Sequence, residues 1–379
     1  MFEYQDRRQF FAQTPGGLED LAAQELTQLG ATNIRTAYRG LRFEAQKETL
    51  YKINYEARLL TRVLAPLKTF HCHNTAYLYR QAKSLDWSAL LSPDNTFAVF
   101  STVSHSRIKH SHYAALCLKD GIVDYFRDHF RSRPRVRKED PDVWINLHIE
   151  NNLATISLDT SGGSLHRRGY RKEGVEAPMQ ETLAAAIVRH TEWDGSIKLY
   201  DPFCGSGTLL AEALMSHCRL PAGFLRKRFG FEQLPDFESS LWLRVRNESE
   251  KRIQPPREGL LAGSDLAPEA VRAARVNLHA LPFGDRVALH ISDFQNLGSL
   301  QDTLVVCNPP HGIRLNESGD ISLFYKSLGD FFKQKCKGCS VFVYLGKKEL
   351  IPLIGLKPSW KRALKSGGLD GRLVKFEIY

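Results

Sequence analysis

The 379-residue chain has no apolar run of the ~18–20 residues that a membrane span requires. Its first residues, MFEYQDRRQFFAQTPGG, lack the basic-then-apolar order of an export signal. Its seven cysteines are scattered without framework spacing, so no disulfide scaffold is expected and a reducing compartment suits them. Cys336 and Cys339 form a CxxC with no second pair, and His71 and His73 around Cys72 lack a fourth ligand, so no metal is expected. Low-complexity tracts and solenoid repeats are also missing. These absences point to a cytoplasmic protein that stays off the membrane. With 42% hydrophobic residues it can build large cores, and its length favours two or three domains.

Charge is not scarce. The formal net charge is +10, which suggests a polyanionic partner. Arg131, Arg133, Arg135, Arg137 and Lys138 crowd the stretch RSRPRVRK. His166, Arg167, Arg168, Arg171 and Lys172 crowd LHRRGYRK, and Arg107, Lys109, His110 and His112 form a looser group. A solvated face would explain any one cluster as well as a nucleic-acid contact does. All three fall in the first half of the chain, which favours a nucleic-acid-facing front end.

Residues 16–29 (GGLEDLAAQELTQL) have roughly helical leucine spacing, with Gly30 as a stop. Two short strands are expected around Gly40, and KETLYKINYEARLLTRVLA reads as a second helix, giving a small α+β module over 1–60. A second mixed segment over 61–160 carries the strand candidates TFAVFSTVS, VWINLHIE and LATISLDT and the helix candidate HYAALCLKDGIVDYFRDHF. Asn151-Asn152 is its hairpin turn. Residues 161–178 are Gly-rich and basic and read as a linker. From Met179 to Tyr379 strands and helices alternate, which implies an α/β domain with a mostly parallel, doubly wound sheet.

DPFCGSGTLLAEA follows a strand and opens a helix. Gly205 and Gly207 allow a tight turn and close approach by a ligand, although a dinucleotide site or a structural turn would use them too. The loop lacks the Gly-Lys-Ser/Thr ending of a P-loop and the third glycine of GxGxxG, which disfavours ATP and NAD. S-adenosylmethionine fits better, with Asp201, Pro202, Phe203, Cys204, Gly205, Gly207 and Thr208 as the cofactor loop. Asp265, followed by Leu266, stands where a second strand ends and can accept from ribose hydroxyls. Asp293 ends a third strand and can accept from an adenine amine. Singly, each aspartate reads as a capping residue; in this order they suit one adenosine-shaped ligand.

A fourth strand ends at VVCNPPHGIRL. An exocyclic base amine is a poor nucleophile because its lone pair is delocalised into the ring. Acceptance of its N–H protons by the Asn308 side chain and the Pro309 carbonyl would hold it ready for in-line methyl transfer. Pro309 and Pro310 stiffen the loop, and His311 can stack on an extruded base. Asn-Pro-Pro could merely end a strand, but behind the other three motifs it reads as the acceptor site. Cys204 and Cys307 flank the site, where packing is the expected role.

These stretches resemble the THUMP-domain guanine-N2 RNA methyltransferases over nearly the whole chain, nearest to the branch that acts on large-subunit (23S) ribosomal RNA. TPGGLEDLAAQEL, RPRVRKEDPDVWINLHI, LDTSGGSLHRRGYR, APMQETLAAAIV, DPFCGSGTLLAEA, GSDLAPEAVRAARVNLHAL, CNPPHGIRL and SGGLDGRLVKFEIY carry the resemblance. LHRRGYR joined to APMQETLAAA is its most specific marker.

The resemblance implies an N-terminal ferredoxin-like module, a THUMP RNA-binding domain and a class I methyltransferase domain with a late antiparallel strand. It implies that Glu181 and Thr182 help hold the methionine end of the cofactor. It also implies an RNA partner, either 23S rRNA or a pre-50S particle, with transfer RNA the choice of close relatives. His311 departs from the family's Tyr or Phe. One glycine-loop unit is present, so one methylation activity is expected; a monomer is expected as well. The rival classes are a DNA adenine-N6 or cytosine-N4 methyltransferase, which shares the NPP chemistry, and an RNA-binding assembly protein without catalysis.

Overall fold

The computed structural model describes residues 1–174, 178–310, 321–365 and 370–379. The chain divides into two compact units. The first comprises Met1–Thr14, Ala22–Leu165 and Arg226–Glu248; the second comprises Pro15–Leu21, His166–Leu225 and Ser249–Tyr379.

In chain order the front part forms α1 (Glu3–Arg7), β1 (Gln9–Gln13), α2 (Glu19–Leu29), β2 (Thr32–Ala37), β3 (Gly40–Glu44) and α3 (Lys47–Glu56). It continues with β4 (Arg62–His71), α4 (Thr75–Lys83), β5 (Thr96–Ser104), α5 (Ser111–Phe130), β6 (Arg135–Val136), β7 (Val143–Glu150) and β8 (Leu153–Asp159). All eight strands join one sheet in the order β2-β3-β1-β4-β8-β7-β5-β6. The second helix expected here is shorter than its pattern suggested. It stops at Glu56, and the Arg62–Ala65 tail of that pattern begins β4 instead. The β-branched and apolar residues of β4 are buried by antiparallel pairing with β1 on one side and β8 on the other. The 1–60 and 61–160 segments therefore share a continuous sheet. Asn151 and Asn152 take positive φ (50° and 61°), the geometry of a two-residue hairpin turn between β7 and β8.

The second unit is built on α6 (Glu181–Thr191), β9 (Lys198–Asp201) and α7 (Thr208–His217). After α8 (Ser239–Glu250) come β10 (Leu261–Asp265), α9 (Pro268–His279), β11 (Ala288–Ile291) and β12 (Thr303–Cys307). α10 (Ile321–Lys335), β13 (Ser340–Leu345), β14 (Trp360–Ala363) and β15 (Arg372–Glu377) complete it. The sheet order is β11-β10-β9-β12-β13-β15-β14, parallel except where β15 pairs antiparallel with β13 and β14. Fully buried Val305, Val341 and Val343 pack with Leu328, Phe332 and Phe376 as its core on one face. The strand order reverses between β9 and β12. In such sheets the crevice at the carboxyl ends beside the reversal is where ligands bind.

Residues 226–248 pack wholly within the first unit. Phe231 stacks on Tyr51 at 4.5 Å and on Phe229 at 5.2 Å, while Trp242 meets Tyr55 edge-on at 5.2 Å. Arg226 donates to the carbonyls of Ser161 (2.8 Å) and Ser164 (3.0 Å). Among the described residues no helix is long and apolar enough to cross a membrane. Phe231 is fully buried, so Phe231→Ala should lower unfolding stability by about 3–5 kcal/mol. A denaturant titration showing a loss under about 1 kcal/mol would mean that this aromatic cluster does not bind residues 226–248 to the unit.

Candidate active site

The loop after β9 is shaped by two carboxylates. Asp201 ends β9 fully buried, and its Oδ1 accepts the Phe203 N–H at 3.0 Å. Asp265 ends β10; its Oδ2 accepts the Gly205 N–H (2.9 Å) and its Oδ1 the Ala267 N–H (3.1 Å). Gly207 has φ +81°, and a Cβ there would stand 3.1 Å from the Cβ of Ala274 on α9. Only glycine allows both the left-handed turn and the approach of the two helices. Gly205 also has positive φ (51°), but its missing side chain faces open space, with no atom within 4 Å of a built Cβ.

That space is a cavity of about 550 Å³, within the usual ~300–1,000 Å³ of small-ligand clefts. The cofactor loop lines it through Asp201, Pro202, Phe203, Cys204, Gly205 and Thr208. Asp265 and Leu266 after β10 and Asp293 after β11 line one side, while Asn308 and Pro310 after β12 line another. Asp293 Oδ1 also accepts the Gln295 N–H at 2.9 Å, so each aspartate both caps its own turn and faces the cavity. A carboxylate oxygen with one backbone donor keeps a second lone pair for a ligand hydroxyl or amine.

Four expected residues are not on this wall. Gly207 shapes the turn through its backbone, and Pro309 is buried within the Asn-Pro-Pro turn. Glu181 is almost fully buried and pairs with Arg171 (Nη2 to Oε1, 3.0 Å). Thr182 is wholly buried, and its Oγ1 has no hydrogen-bond partner among the described residues. Glu181 and Thr182 do not line the cavity; Pro178 and Met179 just before them do, and Arg171 holds Met179 in place. Its Nη2 donates to the Met179 carbonyl (2.8 Å) and to Thr208 Oγ1 (3.2 Å). His311 lies outside the described residues.

The basic clusters separate. Arg133, Arg135, Arg137 and Lys138 are exposed, Arg135 on the edge strand β6. Arg167 is exposed and His166 partly so. Arg168 is not available to an RNA: its side chain is 0% exposed, and its Nε lies 3.4 Å from Glu212 Oε1. Tyr170, also buried, donates to the same oxygen at 3.2 Å. Residues 168–173 of this stretch are thus held against α7 and α9. Asn277 on α9 secures it further, with Oδ1 accepting the N–H groups of Lys172 (2.7 Å) and Glu173 (3.0 Å). Its Nδ2 donates to the carbonyls of Glu173 (2.8 Å) and Ser206 (3.0 Å). Glu212 and Asn277 stood inside the quoted motifs, but neither had been given a role.

Phe294, Gln295 and Phe324 also line the cavity, and nothing in the periodicity marked them. Tyr325, fully buried, donates its hydroxyl to the Pro310 carbonyl at 3.1 Å. Burial pushes the Cys204 and Cys307 thiols well above their ordinary range, so neither supplies a thiolate. Among the described residues no group of three His, Cys, Asp or Glu could hold a metal ion.

Comparison with known proteins agrees with this geometry. The pattern described as "RMKL-like, methyltransferase domain" matches residues 168–375, with a THUMP domain over 72–159 and an RlmL ferredoxin-like domain over 9–64. The chain belongs to the RMKL-like methyltransferase family. It is 38% identical over 98% of its length to slr0064 of Synechocystis sp., named as a candidate RNA methyltransferase and covered to 97%. It is 37% identical to the ribosomal RNA large subunit methyltransferase K/L of Syntrophotalea carbinolica, over 97% of this chain. The chain spans about half (53%) of that relative's length. SMU.472, a candidate methyltransferase crystallised with S-adenosylhomocysteine (SAH), superposes with a TM-score of 0.86 at 27% identity, over 98% of each chain. The cofactor of this RMKL-like methyltransferase is S-adenosylmethionine, and the cavity's paired acids and apolar Leu266 and Phe294 fit an adenosine.

Burial raises the Asp201 carboxyl to about 8, with the neighbouring Asp265 adding to the shift. A carboxyl raised in the folded state favours folding while protonated, and that contribution is lost as pH climbs from the ordinary range near 4 through 8. Asp201→Asn keeps the acceptor for Phe203 without the charge. Its melting temperature relative to wild type should rise between pH 5 and pH 9. A relative fall over that range would mean that the site stabilises the ionised carboxylate.

Proposed function

We propose that this chain transfers a methyl group from S-adenosylmethionine to the exocyclic N2 amine of a guanosine in RNA, with 23S ribosomal RNA, free or in a pre-50S particle, as substrate. The observation that carries the reading is Asn308. The Asn-Pro-Pro end of β12 opens into the same cavity as the cofactor loop, one strand from β9 across the reversal of the sheet. The K/L names of the relatives support the ribosomal substrate, and the exposed Arg133–Lys138 edge of the THUMP segment supports an RNA partner.

The bound cofactor supplies a methyl group made electrophilic by its sulfonium. The chain's part is to orient the acceptor. The side-chain oxygen of Asn308 and the Pro309 carbonyl take the two N–H protons of the amine, which localises its lone pair. Pro309 and Pro310 hold those acceptors outward because neither can donate a helical hydrogen bond. Tyr325 fixes the Pro310 carbonyl from behind. Positioning and hydrogen bonding supply the rate enhancement, and the spare proton leaves with solvent.

The test is methyl transfer from labelled S-adenosylmethionine to ribosomal RNA, transfer RNA and DNA from cells lacking the gene, followed by nucleoside digestion. Label in N2-methylguanosine of 23S rRNA is expected. Asn308→Ala should lower kcat about 100-fold or more while calorimetric cofactor affinity changes less than about threefold. Label in transfer RNA or in DNA adenine would replace the substrate assignment. Equal loss of cofactor affinity in the variant would remove Asn308 from the acceptor side.

A further inference from the structure

We propose that Phe324 is the face on which the acceptor base stacks, beside Asn308. This rests on the base-amine reading above and adds to it a specificity residue that lies outside the motifs.

The sheet separates the two halves of the cavity. In the order β11-β10-β9-β12, the acids Asp265 and Asp293 follow strands on one side of β9, and Asn308 follows the strand on the other. Phe324 belongs to α10, which leads from β12 to β13, and its ring also touches Phe294 after Asp293, so it stands where the two halves meet. It lines the cavity and is only partly buried, although it packs against the apolar core of the domain. Its ring meets Phe203 at 6.0 Å and 63°, Phe294 at 5.7 Å and 74°, and Tyr325 at 5.3 Å and 87°. None of these rings lies flat on it. They brace it edge-on, the packing that holds an aromatic face steady for a planar ligand.

The next residue in the chain fixes the register. Tyr325 points into the core and bonds the Pro310 carbonyl, so α10 and the Asn-Pro-Pro turn are tied at the step between the two rings. Phe324 therefore keeps a set position relative to Asn308, as a base must when its amine is aimed at a methyl group. A leucine would fill the same volume but would offer no π-face to a purine.

The experiment compares full-length Phe324→Ala, Phe324→Leu and Phe324→Tyr with wild type. It reads the cofactor Kd by calorimetry, kcat and KM for RNA, and contact with guanosine 5′-monophosphate by saturation-transfer NMR in the presence of SAH. Phe324→Ala should lose about 5- to 100-fold in kcat/KM, mainly through KM, as expected for one lost base stack. It should also lose the mononucleotide signal while the cofactor Kd holds within about twofold. Tyrosine should restore both readouts and leucine neither.

A parallel loss of cofactor affinity would place Phe324 against the cofactor's adenine and overturn the proposal. So would a leucine variant equal to tyrosine, or a wild-type protein that does not contact the mononucleotide. If wild type methylates no RNA yet binds the mononucleotide through Phe324, the stacking face stands and the RNA reading falls.

Discussion

The turn from Asp201 to Gly207 is the constraint on which the site depends. Its backbone must bend twice through left-handed conformations, keep its N–H groups engaged and leave one flank bare. Two carboxylates make that possible. Asp201 is buried under the turn and accepts from Phe203, and Asp265 reaches from the next strand to Gly205. The bare flank at Gly205 is the cavity itself. A turn held only by its own residues would collapse into that space or fray into solvent. Here the neighbouring strand supplies the missing acceptor, so the open turn exists because β9 and β10 are paired.

A second layer holds the turn from below. Arg168 and Tyr170 converge on Glu212 one helical turn into α7, and Arg171 spans Met179, Glu181 and Thr208. Asn277 satisfies all its amide capacity on residues 172, 173 and 206. Buried pairs of this kind add little net stability, but breaking one leaves an uncompensated charge at a cost of about 3–5 kcal/mol. Their effect is to specify one arrangement of the basic stretch against the glycine turn. The distinctive LHRRGYR block is thus partly an internal clamp. Of the basic candidates, Arg167 and the Arg133–Lys138 edge are the ones that remain exposed.

The architecture was legible in the sequence where patterns were local. Alternating strands and helices after Met179 announce the doubly wound sheet, Asn151-Asn152 announces the β7–β8 hairpin of the first unit, and the ends of β9, β10 and β12 carry recognisable residues. Ambiguity arose where a helical and a strand pattern overlap, as at Arg62–Ala65, because pairing with β1 and β8 outweighs local spacing. Arginine posed the other difficulty. Nothing in the order of LHRRGYRK distinguishes Arg167, which is exposed, from Arg168, which is buried, until Glu212 is brought opposite one of them. Phe294, Phe324 and Tyr325 were silent for the same reason: their roles exist only once β11, β12 and α10 meet at the crevice.

The measurement that tests this account most directly is calorimetric binding of S-adenosylmethionine and SAH to wild type and to Gly205→Ala. A left-handed alanine costs about 1–2 kcal/mol of stability, which leaves the fold intact, but its methyl group would enter the cavity at the cofactor loop. The account predicts measurable binding to wild type and a loss of at least tenfold in the variant, with far-ultraviolet circular dichroism unchanged. Equal affinity in the two proteins would contradict the assignment of this turn as the cofactor seat.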